Sequence, residues 1–96
     1  MPATHTVTLH VPGMLRGYCD GRAQVALEAG SVRALLGVIE RELPVLYPNL
    51  CDETGAVRRH LNVFVNADNT RDLAPGLDTA LAHGDVVTFL PAVSGG

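Results

Sequence analysis

One stretch of this chain has apolar residues at the spacing of a helix, and the stretches around it have apolar residues at the spacing of strands. It begins after Ser31, a residue type favoured at helix N-caps, and ends before Pro44, which cannot continue a helix. The apolar positions between them recur every three or four residues: Val32, Leu35, Leu36, Ile39 and Leu43. A single amphipathic helix must bury its stripe against another layer, and strands are the only other elements available. An α+β domain is therefore expected.

Other segments alternate apolar and polar residues with the period of half-buried strands. They are Thr4 to Val11, Ala23 to Ala29, His60 to Asn66 and Val86 to Pro91. A turn at residues 66–69 and a short edge strand at residues 70–72 are also expected. Leu73, Leu77 and Leu81 predict a short helical turn.

The connections are rich in turn residues. Pro12 to Arg22 holds three glycines and a proline, which indicates a loop or wide hairpin turn, and Pro44 to His60 is irregular. The resulting order, β-β-α-β-(β)-short helix-β, predicts one main helix on one face of a mixed sheet of four or five strands. The last strand is expected to enter beside the first. This is the β-grasp, or ubiquitin-like, architecture.

Composition excludes several classes of function. The net charge is −3, from ten acidic and seven basic residues, and all seven basic residues are arginine. No basic cluster exceeds Arg58-Arg59, so nucleic acid is not expected as a partner. No window approaches the roughly 18 apolar residues of a membrane span, and the N-terminus lacks the basic region of a signal peptide. A cytoplasmic protein without a membrane partner is expected.

The reactive side chains form no recognisable catalytic or metal-binding motif. Cys19 and Cys51 lack CxxC spacing and do not suggest a disulfide framework. The four histidines lie on different predicted elements: His5, His10, His60 and His83. The domain is therefore expected to have no active site of its own and to bind no metal or cofactor.

The alternation of the last two strands predicts an apolar patch on the open face of the sheet. If Val63 and its strand neighbours of the same parity face the helix, Phe64 faces away from it. By the same parity Phe89 points inward and Leu90 points outward. Phe64, Leu90 and the adjacent Pro91 are therefore predicted to form a partner-binding patch.

The chain after Pro91 is predicted to be a thin, flexible tail. Proline has no amide hydrogen and stops strand pairing, so residues 1–91 are expected to form the domain and residues 92–96 an extended arm. Ala92, Val93 and Ser94 are small, and Gly95 and Gly96 have no side chains. Counted from Pro91, such an arm reaches about 20 Å and fits a narrow channel in another protein.

The segment GDVVTFLPAVSGG (Gly84 to Gly96) resembles the terminal signature of the ubiquitin-like sulfur carriers of the MoaD/ThiS family. That signature is G-D-x-V, a short apolar run and then P-x-V-x-G-G. The resemblance implies that an E1-like enzyme adenylates the Gly96 carboxylate with Mg²⁺ and ATP, which that partner binds. A sulfur donor then replaces AMP and leaves a thiocarboxylate. Residues 92–95 would thread the active site of the partner.

The resemblance leaves the pathway open. LPAVSGG, with leucine at position 90 and alanine at position 92, is most similar to the CysO type, which implies a cysteine synthase-like acceptor. A MoaD-type subunit of molybdopterin synthase and a ThiS-type carrier for thiamine or secondary metabolites are alternatives. A ubiquitin-like protein modifier is another, although a chain without lysine cannot build polymers through its own side chains.

Overall fold

The helix predicted from the periodicity is present. In the computed structural model, which describes residues 4–91, α1 runs over Val32–Glu42. The hydroxyl oxygen of Ser31 accepts a hydrogen bond from the Ala34 amide at 3.1 Å, which caps the first turn. The five predicted stripe residues are all buried, and Val38 joins them.

Replacement of Ser31 by alanine tests this cap. The Ala34 amide would lose its acceptor, so Ser31→Ala is expected to lower the free energy of unfolding by about 0.5–2 kcal/mol. Chemical denaturation of the two proteins measures the difference. Ser31→Asp keeps an acceptor oxygen and should remain close to the wild type. Equal loss in both variants would contradict a capping role.

A mixed five-stranded sheet lies under the helix, as predicted. Its strands are β1 (His5–His10), β2 (Gln24–Ala29), β3 (Leu61–Val65), β4 (Asp68–Asn69) and β5 (Val86–Pro91). Their order across the sheet is β2-β1-β5-β3-β4, and only the β1–β5 pair is parallel. The last strand therefore lies in the centre, between the first strand and β3.

The core lies between the sheet and α1. Inward-facing residues of the strands, such as Leu9, Val63 and Phe89, are almost completely buried against the helix stripe. Residues Leu46 and Leu50, which flank and end the short helix α2 (Tyr47–Leu50), close one end of this core. None of the helices within residues 4–91 combines the length and apolar character needed to cross a membrane.

The connection between β1 and β2 is more regular than its glycine content predicts. Gly13–Cys19 forms a 3₁₀ helix, and its Leu15 and Cys19 side chains are buried. Asp20 and Gly21 then adopt left-handed backbone angles, with φ of 59° and 77°, and turn the chain into β2. The segment thus adds two side chains to the core.

The edge strand was predicted two residues too late. Asn66 has a φ of 55°, so the turn needs only residues 66 and 67, and pairing with β3 resumes at Asp68. The side chain of Asn69 then accepts a hydrogen bond from the Arg71 amide at 3.0 Å. That bond starts a 3₁₀ helix over Thr70–Asp72, where the sequence predicts a strand.

The helical turn predicted from Leu73, Leu77 and Leu81 is confined to a 3₁₀ helix over Gly76–Asp78. Pro75 cannot donate a helical hydrogen bond, and Gly76 has a φ of 56°, which a right-handed helix does not allow. Leu81 is nevertheless buried, because its amide bonds the Gly30 carbonyl at 3.0 Å and ties this segment to the start of α1.

The turn at residues 52–56 is organised by one carboxylate. Asp52 Oδ1 accepts hydrogen bonds from the Thr54 hydroxyl (2.6 Å), the Thr54 amide (2.8 Å) and the Ala56 amide (3.2 Å). The bonds from the Thr54 hydroxyl and amide lower the pKa of the Asp52 carboxyl below its usual range.

That lowered pKa predicts a pH-dependent stability. The stabilisation is complete above the unfolded pKa of about 3.9 and is lost as the pH falls through the lower folded pKa. Asp52→Asn is therefore expected to be less stable than the wild type at neutral pH, with a difference that shrinks below pH 4. Thermal unfolding of both proteins across this range measures it. A difference independent of pH would contradict the assignment.

Candidate functional site

The position of β5 decides where the described part of the chain ends. Pro91 ends the strand opposite Leu61 of β3, and it is exposed. The predicted tail residues, Ala92, Val93, Ser94, Gly95 and Gly96, lie outside the described residues. The described chain therefore ends at an exposed position on the central strand of the sheet.

The Gly84-Asp85 pair of the terminal signature has a structural role. Gly84 has a φ of 88°, and its amide bonds the Thr6 carbonyl at 2.9 Å. Asp85 accepts hydrogen bonds from the Asn66 side chain (3.0 Å) and the Ala82 amide (2.8 Å). Asn66 in turn accepts one from the Val86 amide at 3.0 Å. These contacts fix the start of β5, and with it the register of its exposed end.

Apolar side chains of β3 and β5 are near neighbours on the open face of the sheet. Phe64 lies opposite Thr88, and Leu90 lies two residues further along β5, opposite Asn62. Such diagonal neighbours are separated by about 7–8 Å, within reach of an aromatic ring. Val86 is the other diagonal neighbour of Phe64. We call Phe64, Val86 and Leu90 the open-face patch.

The side chains of the open-face patch are accessible to a partner. Leu90 is 41% exposed, Val86 is 37% exposed, and Phe64 is half-buried. The alternation of β5 places Val86 on this face, but only the strand register shows that it borders Phe64. Pro91 has the parity of Phe89 rather than that of Leu90, and is exposed because the strand ends there.

Polar residues border the open-face patch. His10 of β1 lies opposite Thr88 on one side and Gln24 of β2 on the other. Asn62, opposite Leu90, and Asn69, opposite Phe64, border it on the β3 and β4 side. An apolar centre with a polar border is the usual anatomy of a protein–protein interface.

Among the described residues the thiols are buried and the potential metal ligands do not cluster. Both cysteines are free thiols in the core, and burial raises the pKa of the Cys51 thiol, which keeps it protonated at neutral pH. Within residues 4–91 no three His, Cys, Asp or Glu side chains come together as metal ligands. The open-face patch and the exposed end of β5 are thus the candidate functional site.

Comparison with known proteins also points to the C-terminal part of the chain. The model of the ThiS family matches residues 11–96, which include β5 and the terminal diglycine. The chain belongs to the ThiS family. The sulfur carrier protein CysO of Mycobacterium tuberculosis is 35% identical over 92 residues, which cover 94% of this chain and 98% of that protein. The chain is thus a CysO-like sulfur carrier and not an enzyme.

Solved structures show the same fold. The crystal structure of a BexX/CysO complex from Amycolatopsis orientalis contains a chain that is 31% identical, with a TM-score of 0.80 over 94% of this carrier and 99% of that chain. The small archaeal modifier protein 1 of Methanosarcina acetivorans is 25% identical, with a TM-score of 0.82 over 98% and 99% of the two chains. The β-grasp architecture predicted from the element order is confirmed.

Proposed function

We propose that this carrier transports sulfur on its C-terminal Gly96. An E1-like enzyme binds Mg²⁺ and ATP and joins the Gly96 carboxylate to AMP, with release of pyrophosphate. A sulfide-level nucleophile from a sulfur donor then attacks the acyl carbon and displaces AMP, which leaves a thiocarboxylate. The acceptor takes that sulfur, and hydrolysis of the C–S bond restores the Gly96 carboxylate. The carrier itself contributes the reacting group and its placement, while the partner supplies the catalysis.

The observation that supports this proposal most is the continuity between β5 and the terminal signature. The family match runs through residue 96, and β5 ends at an exposed Pro91 beside the open-face patch. A partner that covers Phe64 and Leu90 is therefore in place to receive Ala92 to Gly96. Small residues and glycines suit a narrow channel, because they add little width and accept unusual backbone angles.

For the acceptor we propose a cysteine synthase-like enzyme that takes sulfur onto an activated serine. The identity with CysO supports this pathway over a MoaD-type or ThiS-type one. Purified cysteine synthase-like, molybdopterin-forming and thiazole-forming acceptors can be offered the thiocarboxylate form in parallel. Preferential formation of cysteine is expected, and a product from either other acceptor alone would contradict the pathway.

Intact mass spectrometry tests the carrier proposal. The protein is incubated with the activating enzyme, ATP and a sulfur source, and an exchange of one oxygen for one sulfur at Gly96 is expected. Omission of ATP should abolish the exchange. An unchanged mass, with an enzyme that activates a known carrier in the same assay, would overturn the proposal.

A protein modifier is the second candidate, supported by the similarity to the archaeal modifier protein. A modifier would form an isopeptide bond between Gly96 and a lysine of another protein. The same incubation with added cell extract distinguishes the two functions. Conjugates without the thiocarboxylate form would favour the modifier, and the thiocarboxylate form without conjugates favours the carrier.

A further inference from the structure

The helix side of the domain carries a pocket that the proposed tail chemistry does not use. It has a volume of about 460 Å³ and lies between α1, the turn at residues 52–56 and the 3₁₀ segments after β4. Leu61 and Val63 form its floor, and Val57 and Leu77 contribute apolar walls. We call it the helix-side pocket.

The helix-side pocket has a preformed wall. Asp52 holds Thr54 and Ala56 through the three hydrogen bonds described above, and the Asp52 amide bonds the Ala56 carbonyl at 2.9 Å. Thr54 and Ala56 both line the pocket. A ligand would therefore meet a wall whose backbone is already ordered, which lowers the entropy cost of binding.

The charged side chains that line the helix-side pocket, within residues 4–91, are two arginines. Arg33 is paired with Asp78 at 2.6 Å, in an exposed position. Arg71 donates from Nη2 to the carbonyl oxygens of Arg59 and Leu61, both at 3.2 Å. Its Nε and Nη1 donate to no other described residue. Arg71 is thus a guanidinium held in place beside an apolar floor, with donors left for an anion.

The helix-side pocket and the open-face patch lie on opposite faces of β3. Leu61 and Val63 point to the helix side, while Asn62 and Phe64 point to the open face. The pocket is open to solvent, and its floor residues are each only 2% exposed. Such a shallow site fits a side chain offered by another protein better than a small molecule, which would need to be enclosed.

We propose that the helix-side pocket is a second docking site, which binds a protein segment with an apolar side chain next to a carboxylate. The apolar side chain covers Val57 and Leu77, and the carboxylate accepts hydrogen bonds from Arg71. Charge complementarity selects the acidic residue, because a guanidinium binds a carboxylate more strongly than a neutral amide.

A peptide titration of the full 96-residue chain tests this site without any enzyme. In ¹⁵N-resolved NMR, acetyl-Gly-Leu-Glu-Gly-amide is expected to shift the amides of Ala56, Val57 and Leu77 in a saturable way. A Kd on the order of 1 mM is expected for so short a segment. The matched peptide with glutamine in place of glutamate should bind at least about fivefold more weakly. Equal binding of both peptides, shifts elsewhere in the domain, or no binding would overturn the proposal.

Two variants and a control locate the contact. Arg71→Gln removes the proposed donor, and Ala56→Glu places a repelling carboxylate on an exposed position of the pocket wall. Each should weaken binding of the glutamate peptide at least about fivefold. Arg22→Gln, an exposed arginine outside the pocket, should leave it unchanged. Ala56→Glu leaves the anchored Arg71 intact. Unchanged binding of the glutamate peptide to this variant would show that the peptide does not bind in the helix-side pocket, and would overturn the proposal. Because no adenylation is measured, this result is independent of the carrier proposal.

Discussion

A chain that ends at Gly95 is expected to lose adenylation by at least about 100-fold in kcat/KM. Removal of Gly96 shortens the reach of the tail by about 3.3–3.6 Å. If the open-face patch fixes the body on the activating enzyme, the new carboxylate stops short of ATP, and a misplacement of only about 1 Å costs on the order of 100-fold. ATP–pyrophosphate exchange, dependent on the carrier, measures the loss.

The control for this truncation is Ser94→Ala, which changes a tail side chain and keeps the length of the chain. It is expected to retain adenylation close to that of the wild type. Residues 4–91 are unaltered in both variants, so their thermal unfolding should match the wild type. Efficient adenylation of the shortened chain would show that the position of the terminal carboxylate is not what the enzyme recognises.

Charged substitutions in the open-face patch are expected to raise the KM for the carrier at least about 30-fold, the effect of losing a hot spot worth about 2 kcal/mol. The variants are Phe64→Glu and Leu90→Glu. Each places a carboxylate on the open face of the sheet while the tail stays intact. Because only binding of the body is weakened, kcat at saturation should change little. Steady-state adenylation at varied carrier concentration separates the two parameters.

Val45→Glu is the matched control for the patch variants. Val45 is also an exposed apolar residue, at 63%, but it follows α1 and lies outside the sheet. The same substitution there should leave KM unchanged. If Val45→Glu raises KM as much as Leu90→Glu, added negative charge explains the effect. If neither patch variant raises it, the activating enzyme does not dock on this face.

Periodicity correctly predicted those parts of the fold in which the spacing of apolar residues matches the face that the structure buries. The stripe of α1 and the alternation of β3 and β5 are visible in the sequence, and the structure buries those same residues. The sequence is equally compatible with a turn at residues 66–69 and with a shorter turn at residues 66–67, so the predicted edge strand lies too late. The left-handed backbone of Asn66 and the capping side chain of Asn69 favour the shorter turn. Propensity alone does not distinguish such turns.

The candidate site was predictable in part. Phe64 and Leu90 follow from parity, and the terminal signature follows from the order of residues. The contribution of Val86 depends on the register between β3 and β5, which no local pattern specifies. The helix-side pocket is not predictable from the sequence, because Arg33, Ala56 and Arg71 come from three separate elements.

The sequence by itself determined which residues face the core, where the helix begins and ends, and which terminal motif places the chain among sulfur carriers. Only the tertiary structure decided the register between β5 and β3, by which Val86 and Leu90 flank Phe64, and that Arg71 borders an apolar pocket. The division has a physical cause. The face on which a side chain lies is set by its neighbours along the chain, whereas lateral neighbours are set by long-range pairing, whose energy depends on the whole fold.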